Sequence, residues 1–191
     1  MSIATAPEHK LMTAEEFLAI PEDGIARELI DGVVKERGMT LHNHQHAGIG
    51  SNVDHLLRLW LGLQPEPRGK VVIGDCGFRL RRDPDRIIGP DVGFVSAELK
   101  ARTGRDTAFY DGTPVLAVEI LSPSDQHKDV IDKIGLYLGA GTVVWEVDPD
   151  IQTVRVHRPG RLAEGFNVAQ EIDADPYMPG LRVAVAAIFE D

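Results

Sequence analysis

Cysteine is almost absent from this chain of 191 residues, in which Cys76 is the single example. No disulfide can form within the chain, which is typical of proteins in a reducing compartment such as the cytoplasm. Long apolar runs are absent as well, since none approaches the roughly 18 to 20 residues of a transmembrane helix. Residues 1–10 lack the apolar core of a signal peptide. We therefore expect a cytoplasmic protein without a membrane partner, in which a flexible N-terminus (1–11) precedes a single domain (12–191).

Positive charge is also scarce, because 20 Lys and Arg residues face 30 Asp and Glu residues and give a formal net charge of −10. Non-specific DNA binding depends on Lys and Arg at the phosphates, so the field of the whole chain opposes it. The formal net charge includes no bound ions. Carboxylates that bind a metal ion would therefore account for part of the negative charge. The basic residues that cluster in sequence are Arg79, Arg81, Arg82 and Arg86. This cluster is either a solvated hairpin tip or a DNA-facing loop.

Two common kinds of catalytic motif are missing. His42, His44 and His46 alternate along the chain, but they do not form the H-E-x-x-H pattern and have no cysteine partner, so we expect no zinc site. Ser122 and Ser124 lack the G-x-S-x-G context of a serine nucleophile. These two serines are better suited to starting a helix.

Local patterns near the N-terminus predict a short helix followed by a β-hairpin. Thr13 and Glu16 form a capping-box pattern for a helix over 12–18. Asp-Gly at 31–32, between two alternating apolar segments, predicts a two-residue turn in a hairpin over 27–36. Apolar residues then recur every three or four positions over 44–63, which predicts an amphipathic helix of about five turns.

The rest of the chain predicts a mixed sheet. Residues 88–95 have the composition of a strand, and 115–121 and 142–147 have that of buried strands on either side of a helix over 125–138. A strand–helix–strand unit of this kind is a right-handed parallel crossover, and ligands collect at the carboxyl ends of its strands. We therefore expect the α/β class, with a mixed α+β sheet.

One carboxylate lies inside the apolar segment 115–121. Burying the ionised Glu119 there costs several kcal/mol unless a partner compensates for the lost water. A divalent cation is one such partner if Asp91 reaches the same point, and paired carboxylates suit Mg²⁺ or Mn²⁺. Lys133 on the following helix would add an ammonium group. Two carboxylates and an ammonium group are the minimum set of side chains for metal-assisted phosphodiester hydrolysis. The alternatives are a structural Glu119–Lys133 salt bridge, a turn role for Asp91 and a surface position for Lys133.

Four segments together resemble the Uma2 family of endonucleases, a branch of the PD-(D/E)XK nuclease superfamily. They are ELIDG (28–32), PDVGFV (90–95), VEILSPS (118–124) with Asp129, Lys133 and Tyr137 beyond it, and WEVDP (145–149). The resemblance extends over about residues 12 to 189. It implies a restriction endonuclease-like core with an N-terminal helix and β-hairpin, a DNA substrate and a homodimer.

The resemblance also implies roles for individual residues. Asp91 and Glu119 would bind Mg²⁺ or Mn²⁺, with the backbone carbonyl of Ile120 as a third oxygen. The superfamily motif has a Lys two residues after the Glu, and this chain has Leu121 at that position. In the Uma2 pattern the Lys lies instead on the helix that follows the strand, and Lys133 matches that position.

Further residues match accessory positions of the family. Glu28 would be an additional metal or water ligand, and His44 is the active-site candidate among the three histidines. Asp129 lies four residues before Lys133 and could pair with it, and Tyr137 could brace Lys133 or pack in the core. The function implied is that of a metal-dependent DNA endonuclease. The alternative is a catalytically inactive binding or assembly module on the same fold, forming a homodimer.

Overall fold

The structure is a computed structural model that describes residues 10–37, 44–74, 76–123 and 125–190. Within these residues the helices are α1 (Ala14–Leu18), α2 (His44–Gly62), α3 (Ala97–Arg102), α4 (His127–Gly139) and α5 (Val185–Ile188). The strands are β1 (Ala26–Ile30), β2 (Val33–Arg37), β3 (Lys70–Ile73), β4 (Phe78–Arg81), β5 (Arg86–Ile88), β6 (Val92–Val95), β7 (Leu116–Ile120), β8 (Val143–Asp148), β9 (Thr153–His157), β10 (Glu164–Asn167), β11 (Glu171–Asp173) and β12 (Arg182–Ala184). The predicted flexible terminus lies outside the described residues, except for Lys10 and Leu11.

The strands form two larger sheets and one small sheet. A six-stranded sheet has the order β10-β9-β8-β7-β6-β3, and a four-stranded sheet has the order β2-β1-β5-β4. In the six-stranded sheet β7 and β8 are parallel and the other neighbouring strands are antiparallel. The parallel pair is connected through α4, as the crossover pattern predicts. The predicted mixed α+β fold is therefore confirmed.

The six-stranded sheet is covered on its two faces by different helices. On one face Ile49, Val53 and Leu57 of α2 pack in a cluster with Val118 and other core residues. On the other face Ile134 and Tyr137 of α4 pack with Ala117 of β7. Alternate residues of β7 therefore point to opposite helices, as the pleat of a strand requires.

The N-terminal helix and hairpin form as the sequence predicts. Thr13 Oγ1 accepts a hydrogen bond from the N–H of Glu16 at 3.2 Å, and a Glu16 carboxylate oxygen accepts one from the N–H of Thr13 at 3.0 Å. At the hairpin turn, Asp31 and Gly32 have φ angles of 53° and 77°, in the left-handed region that Asp and Gly tolerate best.

The prediction of one strand over 88–95 is wrong, and the break has consequences for function. Arg86–Ile88 belongs to the four-stranded sheet and Val92–Val95 belongs to the six-stranded sheet. The chain changes sheets at Gly89, Pro90 and Asp91, where Pro90 has no N–H to contribute to a ladder. Asp91 therefore lies at the junction of the two sheets.

In the part of the chain that the structure describes, no helix is both long enough and apolar enough to span a membrane.

Candidate active site

Lys133 is the centre of a buried charged cluster. It projects from α4, with 7% of its side chain exposed. Its Nζ donates to a Glu119 carboxylate oxygen at 2.8 Å and to the carbonyl of Gly89 at 2.7 Å, and it lies 3.5 Å from Oε1 of Glu28. One amine therefore joins β7, the sheet junction and β1. The structure brings three of the predicted site residues, Glu28, Glu119 and Lys133, into direct contact.

Asp91 reaches the same region from the sheet junction. Val92 pairs with Val118 in the antiparallel register of β6 and β7, so one further residue places Asp91 across from Glu119. Asp91 Oδ2 accepts a hydrogen bond from the N–H of Ile120 at 2.7 Å. Ile120 is the residue after Glu119, so this bond brings the Asp91 carboxylate to the backbone beside Glu119, although 27 residues separate the two acids in the sequence. The charge of Lys133, which binds Glu119, also helps to lower the pKa of Asp91.

Among the residues that the structure describes, His46 rather than the predicted His44 contacts Asp91. His44 is exposed at the start of α2, whereas His46 Nε2 lies 3.4 Å from Asp91 Oδ2. A signal for this choice is present in the sequence. His46 precedes the core residues Ile49 and Val53 by three and seven positions, which puts all three on one side of a helix.

Asp91 and His46 shift each other's protonation. Hydrogen bonding to Asp91 raises the pKa of His46, against the effect of burial, and the charge of Asp125 and the backbone of Ile120 add to the rise. Burial raises the pKa of Asp91, but hydrogen bonds from His46 and Ile120 outweigh burial and hold that pKa below its usual value. Asp91 is therefore a carboxylate at neutral pH.

Asp129 and Tyr137, the two accessory residues predicted on α4, lie in different environments. Asp129 is exposed in the first turn of α4, while Lys133 points towards Glu119. Tyr137, one turn after Lys133, is fully buried and packs with Ile134 against the sheet. Tyr137 thus supports the helix face that carries Lys133.

Glu146 lies in the segment WEVDP and is the neighbour of Glu119 on the adjacent strand of the six-stranded sheet. Glu119 pairs with Glu146 in the parallel register of β7 and β8, and Glu146 pairs with Arg155 of β9. Glu146 is buried and bound at 2.9 Å by Arg155 Nη1 and at 2.8 Å by His157 Nε2. The hydrogen bond from His157 lowers the pKa of Glu146, burial opposes the change, and Arg155 adds to it. Glu146 is not among the site residues predicted from the sequence, although it interrupts an apolar strand just as Glu119 does.

The oxygen atoms at the site suit a hard divalent cation. Among the residues that the structure describes, no group of three or more His, Cys, Asp or Glu side chains is arranged to hold a metal ion. Asp91, Glu119 and the backbone carbonyl of Ile120 nonetheless offer only oxygen donors, which are the ligands that Mg²⁺ and Mn²⁺ prefer. The donor chemistry fits the predicted ion.

The arginines that cluster in the sequence are bound to aspartates. Each of the four guanidinium groups has a carboxylate partner at salt-bridge distance. The pairs are Arg79 with Asp85, Arg82 with Asp111, and both Arg81 and Arg86 with Asp31. Because these charges are compensated locally, the arrangement favours the hairpin-tip interpretation over a DNA-facing loop.

Comparison with known proteins bears on the family and the fold of this chain. Residues 14–186 match the model of the Uma2 family, "Putative restriction endonuclease". The fold is similar to the crystal structure of a putative nuclease from Anabaena variabilis, with a TM-score of 0.76 and 26% sequence identity. That match covers 93% of this chain and 97% of the other. No curated protein matches the sequence.

Proposed function

Because this chain belongs to the Uma2 family, we propose that it is a metal-dependent nuclease of the PD-(D/E)XK superfamily that hydrolyses phosphodiester bonds in DNA. The observation that supports this most directly is the buried contact of Lys133 with Glu119, made beside Asp91 at the sheet junction. Two carboxylates and an amine at one point are the groups that metal-assisted phosphate chemistry uses.

Asp91, Glu119 and the carbonyl of Ile120 are the groups that would hold Mg²⁺ or Mn²⁺. An ion held by these groups would supply Lewis-acid chemistry, which would favour attack of water on a phosphoryl group. The protein contributes a fixed geometry, because Asp91 Oδ2 is bound by the N–H of Ile120 at 2.7 Å. His46, at 3.4 Å from the same oxygen, restricts the rotation of the Asp91 side chain.

Lys133 takes the place of the lysine that the superfamily carries two residues after the Glu. That strand position is Leu121 here, which offers no charge. The Nζ of Lys133 arrives from α4 and contacts Glu119 at 2.8 Å. From this position the ammonium group stabilises the negative charge that develops on a phosphate during attack by water. Position in space, and not adjacency in sequence, decides this role.

Glu28 brings a third carboxylate to the cluster from β1. Its Oε1 lies 3.5 Å from Lys133 Nζ, and the residue is 8% exposed. We assign Glu28 to holding the ammonium group in place and to binding water next to the ion. It connects the four-stranded sheet to the chemistry in the six-stranded sheet.

Cleavage of plasmid and oligonucleotide DNA in Mn²⁺ tests the proposal. We expect Glu119→Gln and Lys133→Met to lose at least about 100-fold in rate, a loss typical of removing one group that stabilises transition-state charge. Lys128→Met is the matched control, since Lys128 is exposed on the same helix. Circular dichroism establishes that each variant is folded. Equal rates in the wild type and all variants would contradict the assignment.

A catalytically inactive binding module is the second candidate. The observation that favours it is that both carboxylates already have cationic or hydrogen-bonding partners, Lys133 at Glu119 and His46 at Asp91. Calorimetric titration with Mn²⁺ separates the two functions. The nuclease requires binding that Glu119→Gln weakens, whereas the absence of binding at millimolar Mn²⁺ supports the module.

A further inference from the structure

A cavity lies beside the charged cluster, where β1 of the four-stranded sheet begins and β5 ends. Its volume is about 190 Å³. Its apolar wall is formed by Phe17 and Leu18 of α1, by Ile87 of β5 and by Phe109. Phe17 and Phe109 also pack against the same small core cluster. Two aromatic side chains from distant parts of the sequence thus border one space.

The cavity is continuous with the candidate active site. Glu28 and Gly89 both line it. The same two residues contact Lys133, since Glu28 Oε1 lies 3.5 Å from Nζ and the Gly89 carbonyl accepts its hydrogen bond at 2.7 Å. A group that occupies the cavity therefore lies next to the residues proposed to act on a phosphate.

The lining combines apolar surfaces, hydrogen-bond acceptors and the Arg27 side chain, whose guanidinium group is already bound by Asp23 and Glu36. The carboxylate of Glu28 and the carbonyl of Gly89 accept hydrogen bonds, while the phenylalanines offer ring surfaces. Gly77, which also lines the cavity, packs closely on Phe109, because a Cβ added there would lie 3.2 Å from Cβ of Phe109. A flat molecule with apolar faces and N–H groups on its edge matches this lining. A nucleobase has those properties, and in a DNA strand it is joined to the phosphate through a single sugar.

The charge of the chain determines which form of DNA fits. The net charge is −10, and the clustered arginines are bound to aspartates, so attraction to phosphates is weak. Stacking of bases on aromatic side chains supplies affinity that does not depend on phosphate charge. In a duplex, however, the base faces are stacked on neighbouring pairs and cannot enter a cavity.

We propose that this cavity binds an unpaired nucleobase of the substrate strand and thereby selects single-stranded or locally opened DNA. The inference rests on the proposed nuclease function and specifies its substrate. The base enters between Phe17 and Phe109, its edge faces Glu28 and Gly89, and the adjoining phosphate is held next to Lys133.

Fluorescence of the base analogue 2-aminopurine in an oligonucleotide tests the inference without requiring catalysis. The full chain is titrated, without metal, into single-stranded and duplex forms of the same sequence. We expect a fluorescence change and tighter binding with the single strand. Ala108→Trp fills the cavity, because Ala108 is exposed and lines it, and should weaken binding roughly ten-fold, as the loss of one stacked base does. Ala169→Trp is the matched control at an exposed position elsewhere, and Phe109→Ala is a second variant of the wall.

The outcomes distinguish this inference from the function on which it rests. Equal binding by Ala108→Trp, Phe109→Ala and the wild type, or equal binding of duplex and single strand, overturns the base site even if Mn²⁺-dependent cleavage is present. Weakened binding in both cavity variants, with Ala169→Trp unchanged, supports the base site. If that pattern occurs while no DNA is cleaved in Mn²⁺, the nuclease proposal fails and the cavity remains a base-binding site.

Discussion

At the scale of single residues, the buried amine of Lys133 is stabilised by its surroundings. A buried charge is costly unless it is paired and hydrogen-bonded. Lys133 meets both conditions, because Glu119 provides the opposite charge and the Gly89 carbonyl accepts a further hydrogen bond. The pair is therefore sensitive to the loss of either member.

Replacing Lys133 with Met should lower the free energy of unfolding by about 3–5 kcal/mol, because Glu119 would remain buried without its cation. Urea denaturation measures the change. The exposed Lys128→Met on the same helix should change stability by less than about 0.5 kcal/mol. Adding Glu119→Gln to Lys133→Met should restore part of the loss, since the two residues are coupled. Additive effects in the double variant would contradict the pairing.

Glu146 leads to a prediction of pH dependence. Its pKa is lowered from the ordinary 4.5, mainly by the hydrogen bond from His157 and against the effect of burial. The ionised group therefore stabilises the fold above about pH 4.5, and this contribution is lost as the pH falls through the folded-state pKa. Glu146→Gln should destabilise by about 1–2 kcal/mol at pH 7 and by progressively less in acid.

The control for this measurement is Glu171→Gln, at an exposed carboxylate. Thermal unfolding of both variants and the wild type from pH 3 to 7 gives the comparison. A difference between Glu146→Gln and the wild type that stayed constant over this range would show that ionisation of Glu146 does not contribute.

At the scale of elements, the hairpin of β1 and β2 holds Glu28 beside Lys133 at the candidate active site. Its turn depends on Gly32, whose φ is 77°. A Cβ at Gly32 would lie 2.6 Å from Cβ of Leu11. To relieve that contact, the backbone around Leu11 would have to move. Met12 belongs to the same segment, and its N–H donates a hydrogen bond to the Gly32 carbonyl at 2.8 Å. The turn is therefore constrained both by conformation and by packing.

A matched pair of glycine variants separates the two constraints. Gly24 has a φ of 79° and no atoms within 4 Å of an added Cβ. Gly24→Ala should cost about 1 kcal/mol for the left-handed conformation alone. Gly32→Ala should cost at least about 1 kcal/mol more, because Leu11 must also move. Chemical denaturation measures the free energy of unfolding of both variants. Equal losses would mean that the contact with Leu11 does not contribute to stability.

At the scale of the whole molecule, charge sets the expected response to salt. With net charge −10 and the clustered arginines bound to aspartates, we expect about two or fewer phosphate contacts. Affinity for single-stranded DNA should then fall by less than about ten-fold between 50 and 200 mM salt. Fluorescence anisotropy measures this slope. A loss of about a thousand-fold would reveal a basic surface that these ion pairs do not account for.

The homodimer implied by the resemblance stays a prediction. Sedimentation velocity at micromolar concentration tests it, with a single species of twice the chain mass as the expected result. A monomer at all concentrations would contradict it.

Elements that depend on local interactions were predictable from the sequence alone. The capping box of Thr13, the left-handed turn at Asp31 and Gly32, and the apolar periodicity of α2 each arise within a few residues, so sequence patterns predict them. The unusual Glu119 in an apolar strand was also visible, because a buried charge stands out against its neighbours.

The way in which Asp91, His46, Glu28 and Lys133 come together depends on tertiary packing. The break at Pro90, which moves the chain from one sheet to the other, depends on which strand pairs with which, and that pairing is non-local. The position of His46 beside Asp91 and the cavity that shares Glu28 with Lys133 follow from the packing of α2 and of the two sheets. Distances between residues far apart in sequence are set by this packing, and no local pattern encodes them.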